Sequence, residues 1–458
     1  MADLDAGVAP GTQDPGALAA RRDRAVHAAV AQGVVGGEDR PLAALLDVAA
    51  VREAAAALQS AFAGVAAPGQ EILHTFAVKA GALVPVLRLL DDCGIGAEAA
   101  SPGELALARA AGVPAARTVL DSPAKTEGEL REALARGIAL NADNPQELAR
   151  LDGLVDGVPG GHGPGLGIRI NPQLGGGAID AMSTATATSK FGVALRDEGA
   201  REWVLRAYRE RPWLNRLHCH VGSQGMPTAT MAAGVRETYE LAEEINAAAG
   251  RRQVTTLDIG GGLPVNFTSD ATTPSYAEYA RLLAETVPGL FDGRYGLVTE
   301  FGRSLLAKAG TVLARVEYTK SAGGRRIAVT HAGAQIAVRT VFAPEAWPLR
   351  VAAYDAEGRP KAAPDVTQDV AGPCCFAGDL VARGRDLPEL AAGDLAALLD
   401  TGAYYFSNPF SYNSLPRPGV HGFTTDGDGA VRFHTVREPQ SLAGIVAEAG
   451  GRHRDTLL

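Results

Sequence analysis

Over roughly 250 residues, short apolar or β-branched runs alternate with Ala/Leu/Glu/Arg-rich stretches, and this alternation constrains the fold more than any other feature of the chain. The runs include ILHTFAVKA, ARTVLDSP, LGIRINP, RLHCHVGS, VTTLDIGGG and YGLVTEFGR. Segments such as PGELALARAAG and TEGELREALARG stand between them, each closed by a glycine suited to a helix C-cap. Repeated strand-then-helix units predict parallel strands, in a (β/α)8 barrel or a doubly wound sheet. From residue 311 the texture changes to β-type runs with turns: TVLARVEYT, RRIAVTHAG, LRVAAYDAEGRPK and AVRFHTV. A second, mainly β domain is expected there, and 458 residues exceed what one hydrophobic core usually holds. Residues 1–16 read as a flexible tail, 17–32 and 46–62 as helical, and VDGVPGGHGPG as a surface loop.

Hydrophobic residues make up 46% and charged residues 21%, so the body has the composition of a globular protein. A net charge of −9 argues against nucleic acid as a partner, since phosphate-backbone binding needs clustered Lys and Arg. The four cysteines, Cys93, Cys219, Cys374 and Cys375, are too few for a disulfide framework and follow neither C-x-x-C nor a zinc spacing. No metal site is expected, and a reducing cytoplasm suits them best. The N-terminal MADLDAGVAPGTQDPG lacks a basic flank leading into an apolar core, and no run of about 18 apolar residues occurs. Secretion and membrane spanning are therefore disfavoured.

Chemistry concentrates at the ends of the apolar runs. Lys79 follows an apolar run that should be a buried strand, and burial favours the neutral amine that forms imines. A strand-end lysine that has simply reached solvent would read the same way. Gly260, Gly261 and Gly262 follow another run directly, which lets backbone N–H groups approach a phosphate, or serves only a tight turn. RLHCHVGSQ places His218 and His220 on one face of a strand by its period of two, with Ser223 in the loop beyond. VTEFGRS ends with Glu300 and Arg303. Each could be an ordinary core or loop group, yet together they supply an amine for an aldehyde, glycines and a hydroxyl for a phosphate, an imidazole to stack and a carboxylate.

With these motifs in this order, the chain resembles the fold-type III pyridoxal-5′-phosphate (PLP) decarboxylases, the family of diaminopimelate, ornithine and arginine decarboxylases. The likeness runs through AVKA, GAEAASPGELALARAAG, LDSPAKTEGEL, IRINP, STATATSKFGV, LHCHVGSQ, LDIGGGLP, EFGRSLLAKAG, GPCCFAGD and GAYYFSNPFSYNSLPRP. It implies a PLP-binding (β/α)8 barrel over 45–310 and a C-terminal β-sandwich or barrel-like domain over 311–458, on whose edge residues 17–44 pack. It also implies Lys79 as the lysine that takes the cofactor's aldehyde, His220 stacked on its ring, and Glu300 paired with its pyridine nitrogen. Ser223, Gly260 to Gly262, Gly302 and Arg303 would hold the phosphate, with Tyr412 near it. Cys375 matches the cysteine that enters the partner's site and delivers a proton, which implies a homodimer with composite sites. A buried structural thiol is the plainer reading of that cysteine.

The departures lie on the substrate side. Phe376 stands where amine-processing members carry an acidic residue, His331 replaces an aspartate, Ala343 falls about where a tyrosine is usual, and EPGR has become EFGR. Arg303 and Arg339 remain able to bind a carboxylate. The resulting expectation is an amino-acid decarboxylase for which diaminopimelate, lysine, ornithine and arginine are doubtful substrates, because a distal ammonium would lose its charge partner. A racemase or eliminase on the same scaffold would keep Lys79 and Glu300 without releasing CO2. A binding-only regulatory homologue would be expected to lose cofactor residues, and the principal ones are all present.

Overall fold

The computed structural model describes residues 14–155 and 165–458. The expected tail up to residue 13 and the Pro/Gly-rich loop at 156–164 lie outside the described residues. The chain divides into two compact units. Of the described residues, the first takes Arg52–Val265 and Thr272–Leu305, and the second takes 14–51, Asn266–Ala271 and Leu306–Leu458.

The strands in chain order are β1 (Leu42–Asp47), β2 (Ile72–Ala77), β3 (Gly96–Ala99), β4 (Thr118–Leu120), β5 (Ala139–Ala142), β6 (Leu166–Asn171), β7 (Val193–Ala194), β8 (Leu214–Cys219), β9 (Thr256–Asp258) and β10 (Gly296–Phe301). In the first unit, β2, β3, β4, β5, β6, β8, β9 and β10 pair in parallel and the series closes from β10 onto β2, which makes the (β/α)8 barrel. Half of these strands are buried throughout and the others at all but one or two residues, as a parallel sheet covered by helices requires, and that is why they read as continuous apolar runs rather than alternating ones. The intervening helices carry their own signals. Glu127–Arg136 opens on a capping box between Thr126 and Glu129 and stops at Gly137, whose φ of 72° is the left-handed turn glycine allows.

The second unit adds β11 (Gly310–Ala322), β12 (Arg325–Thr330), β13 (Val351–Tyr354), β14 (Asp365–Ala371), β15 (Leu380–Pro388), β16 (Leu395–Leu399), β17 (Gly419–Thr425) and β18 (Val431–Arg437). Its sheet runs β15-β14-β12-β11-β1-β17-β18, with β16 also on β11 and β13 on β16. The helix Pro15–Ala31 buries Ala25, Val26 and Ala29 in the same core as Leu45, Leu313, Tyr354, Leu395 and Phe423. One local expectation is corrected: Leu46 and Asp47, read as the start of a helix, end β1, and the helix is Val48–Ala63. The run LAALL is claimed by two partner strands, antiparallel β11 and parallel β17, which outweighs its helix propensity. Among the described residues no helix is long and apolar enough to cross a membrane.

Candidate active site

The C-terminal ends of the barrel strands gather the residues marked in the sequence. Lys79 sits in a 3-10 turn, Val78–Ala80, directly after β2. Its side chain is 42% exposed and its Nζ donates to Glu98 Oε2 of β3 at 2.7 Å. The expectation of a buried lysine is corrected: the strand ends at Ala77, two residues before Lys79, so the amine stands in the mouth of the barrel against a buried carboxylate. Burial raises the Glu98 carboxyl above its ordinary range, against the pull of Lys79.

His218, within β8, is fully buried, while His220 lies just beyond β8 and is partly exposed. Both reach Glu300, at 3.6 Å from His218 Nε2 and 3.5 Å from His220 Nδ1. Glu300, near the end of β10, is buried, and its Oε1 makes no hydrogen bond within the described residues. Burial, followed by the charges of Asp258, Asp121 and Glu98, raises its carboxyl well above the ordinary range. His220 is held well below its ordinary value by burial, with Arg169 and Lys79 adding to the effect.

The glycines after β9 are required by packing. Gly260 and Gly262 have φ of 64° and 92°, and a Cβ at Gly261 would lie 2.0 Å from Glu300 O and at Gly262 1.8 Å from Gly222 O. Only glycine lets these strand ends lie so close. The Gly261 N–H is directed to His220 Nδ1, at 3.3 Å. Ser223 follows in the loop after β8, its backbone N–H on Met182 O. Gly302 and Arg303, both buried, lead from β10 into the short helix Arg303–Leu306. An orphaned buried carboxyl oxygen, a stacking-ready imidazole, a reachable amine and a glycine cradle form a set that fits PLP.

Arg339, Cys375, Phe376 and Tyr412 belong to the second unit. Cys375 is exposed, and its N–H donates to Asn413 Oδ1 at 2.7 Å. Phe376 stacks on Phe342 at 5.4 Å and meets Tyr412 edge-on at 5.3 Å. Arg339 lies over the rings of Tyr404 and Trp347, at 4.6 and 5.1 Å. Cys374, to which the sequence assigned no role, is buried, and its thiol is pushed up to about 11 by that burial.

Several residues escaped the sequence reading. Asp121, the residue after β4, and Asp258, the last residue of β9, occupy strand-end positions of the kind that marked Glu300 and are buried. Arg169 and Asn141 come from β6 and β5. In the second unit buried Asp379 accepts the N–H groups of Ala334 and Cys374, at 2.6 and 2.7 Å.

Residues 48–307 match the family model described as pyridoxal-dependent decarboxylase, pyridoxal binding domain. The chain belongs to that family. The pyridoxal-dependent decarboxylases most similar to it include the diaminopimelate decarboxylase of Bacillus subtilis, 33% identical over 412 residues, covering 87% of this chain and 89% of the relative. The diaminopimelate decarboxylase of Aquifex aeolicus is 30% identical over 350 residues, with 76% and 80% covered. Among solved structures, diaminopimelate decarboxylase from M. jannaschii in co-complex with L-lysine superposes with a TM-score of 0.78 at 25% identity, covering 89% of this chain and 91% of that one. PLP is accordingly the cofactor and an amino acid the substrate of this decarboxylase.

The expectation that Phe376 turns the enzyme away from diamino acids is corrected by these relatives, which point to a diamino acid. One aromatic side chain in the place of a carboxylate does not by itself set which substrate is recognised. The likeness extends over most of the chain, and arginines that could take a distal carboxylate are present.

Proposed function

We propose that the protein decarboxylates a diamino acid of the diaminopimelate type. The observation that carries this reading is the 30–33% identity to diaminopimelate decarboxylases over 76–87% of the chain. When bound, PLP supplies an electron sink for the pair left behind by departing CO2. Lys79 would bind its aldehyde, and Glu98 receives the Lys79 ammonium whenever that bond is open, keeping the amine within reach. His220 would lie against the ring, held in orientation by the Gly261 N–H on its Nδ1. Ser223, Gly260 to Gly262, and the Gly302 and Arg303 backbone would surround the phosphate, with Tyr412 beside it. Glu300 would hold the proton at the pyridine nitrogen.

The exposed Cys375 would deliver a proton to the carbon that has lost CO2, in the site of a second copy, so the working enzyme would be a homodimer. Arg303 and Arg339 would receive carboxylates of the substrate. Four cysteines without disulfides suit a reducing cytoplasm. The test is CO2 release by the holoenzyme from diaminopimelate, lysine, ornithine and arginine, beside apolar and acidic amino acids. The expected result is the highest kcat/KM with diaminopimelate; release from none of the four diamino acids would overturn the reading.

A further inference from the structure

The interior of a (β/α)8 barrel is ordinarily filled by layers of Val, Ile and Leu. One layer here is charged: Glu98, Asp121, Arg169, His218, Asp258 and Glu300 are all buried inside it. His218 stands between two carboxyl groups, with Nδ1 3.5 Å from Asp121 Oδ2 and Nε2 3.6 Å from Glu300 Oε2. A neutral imidazole has one N–H and one lone pair, so it cannot satisfy two carboxylates at once. It can donate at one end and accept at the other.

The neighbours decide which end is which. Asn141 Nδ2 donates to both Asp121 oxygens at 3.1 Å, and Lys125 and Arg169 add positive charge, so Asp121 is the ionised member. Glu300 faces acceptors instead. His220 Nδ1 lies 3.5 Å from its Oε2 and already receives the Gly261 N–H, so that nitrogen carries no proton to offer. Asp258 is occupied by Arg216 at 3.0 Å, and Glu98 by Lys79 at 2.7 Å, so neither cation is left to neutralise a Glu300 carboxylate. A Glu300 carboxyl that keeps its proton can donate it, whereas an anion there would confront lone pairs and like charges.

We propose that Asp121 and His218 are positioning residues that keep a proton resident on the Glu300 carboxyl, so that the chain carries in advance the proton required at the cofactor's pyridine nitrogen. On contact Glu300 gives that proton up: its O–H bond breaks, an N–H bond forms on the ring, and Glu300 is left a carboxylate, with none taken from water. The electrostatics agree. Burial lowers the basicity of His218 despite Asp121 and Asp258. Burial would raise Asp121, but His218, the neighbouring Glu300 carboxyl, and the cations Lys125 and Arg169 hold it low. The inference rests on the assignment of Glu300 to the pyridine nitrogen made above, and not on the choice of substrate.

The test is infrared spectroscopy of the full-length chain freed of cofactor, at neutral pH, with PLP itself as the probe. The wild type should show a protonated-carboxyl band that Glu300→Gln lacks and that vanishes when PLP is added. Asp121→Asn, which removes a neighbouring negative charge, should move the midpoint of that band to lower pH by about one to three units. His218→Leu should shift its frequency by removing an acceptor, and His218→Gln, which retains one, should restore most of the shift. A purely structural histidine would leave the band where it is. No such band in the wild type, or a band indifferent to Asp121→Asn and to both His218 variants, would overturn the proposal even if a variant folded poorly, because the wild type and Glu300→Gln suffice for the first reading. A missing band leaves the diamino acid reading standing; failure to release CO2 leaves the band standing.

Discussion

The charged layer in the barrel and the Cys375 loop of the second unit hold reactive side chains in opposite ways. In the barrel the charged side chains lie against one another: Lys79 on Glu98, Arg216 on Asp258, and His218 between Asp121 and Glu300. In the loop the backbone is fixed and the side chains are left open. Asp379 accepts from the N–H groups of Ala334 and Cys374, Asn413 accepts from Cys375, and a Cβ at Gly333 or Gly372 would lie 2.2 or 2.3 Å from the nearest atom, at Gly333 an Asp379 oxygen. None of these bonds depends on which side chain stands at position 376. An aromatic residue can therefore replace an acid there without moving Cys375, which explains why Phe376 was a poor guide to the substrate.

The largest expected effects break each region at its reactive atom. Lys79→Ala and Cys375→Ala should each lower kcat by about two to four orders of magnitude, and only Lys79→Ala should abolish the borohydride-reducible chromophore. Mixing the two inactive variants should restore a fraction of the activity, since one site in each heterodimer then has both groups. No recovery after verified subunit exchange would show that the site is built within one chain.

Asp379→Ala attacks the scaffold of the loop. It strips two buried N–H groups of a charged acceptor and should cost about 3 kcal/mol, read as a lowered midpoint of denaturant unfolding. An unchanged midpoint would mean that the loop is held by something other than its backbone bonds.

The third prediction uses pH on the barrel. A carboxyl whose folded-state pKa is raised stabilises the fold fully below its unfolded pKa and loses that contribution as pH rises through the folded value. For Glu300 the cofactor-free chain should thus lose stability from mildly acidic pH upward, by as much as about 1.4 kcal/mol per pH unit for one proton. The slope should flatten in Glu300→Gln, and an equal slope in both proteins would count against a protonated Glu300. The smallest effect belongs to the rim. Phe342, 59% exposed, should tolerate Ala at a cost of less than about 1 kcal/mol, and a larger loss would mean that its stack on Phe376 supports the loop.

The barrel was legible because parallel strands covered on both faces leave continuous apolar runs, and because capping pairs such as Thr126 and Glu129 mark where helices begin. Lys79, His218, His220 and Glu300 stand out in the sequence by their place at the ends of such runs. Asp121 and Asp258 end runs in the same way and carry the same signal. Their meaning was still hidden, since Asp121, His218 and Glu300 are distant in sequence and meet only when β10 closes on β2. Glu98 sits inside GAEA, where one acidic letter gives no sign that it faces Lys79. Asp379 and Asn413 act on backbone N–H groups, which leave no trace in a pattern of side chains.

β1 has a consequence for synthesis. It lies between β11 and β17, and the segment Asn266–Ala271 is tied into the same unit by Asp270, which bonds Arg22 at 2.8 Å and Arg350 at 2.7 Å. The unit is thus sewn from three stretches of chain, the earliest emerging from the ribosome long before the last. The barrel can begin to close while β1 still waits with both edges unpaired, a template for any neighbouring strand. Translation speed and chaperone access between those two moments, rather than the stability of the finished fold, should govern how much active enzyme a cell obtains, and a fragment starting at Leu306 would lack the strand on which its own sheet is centred.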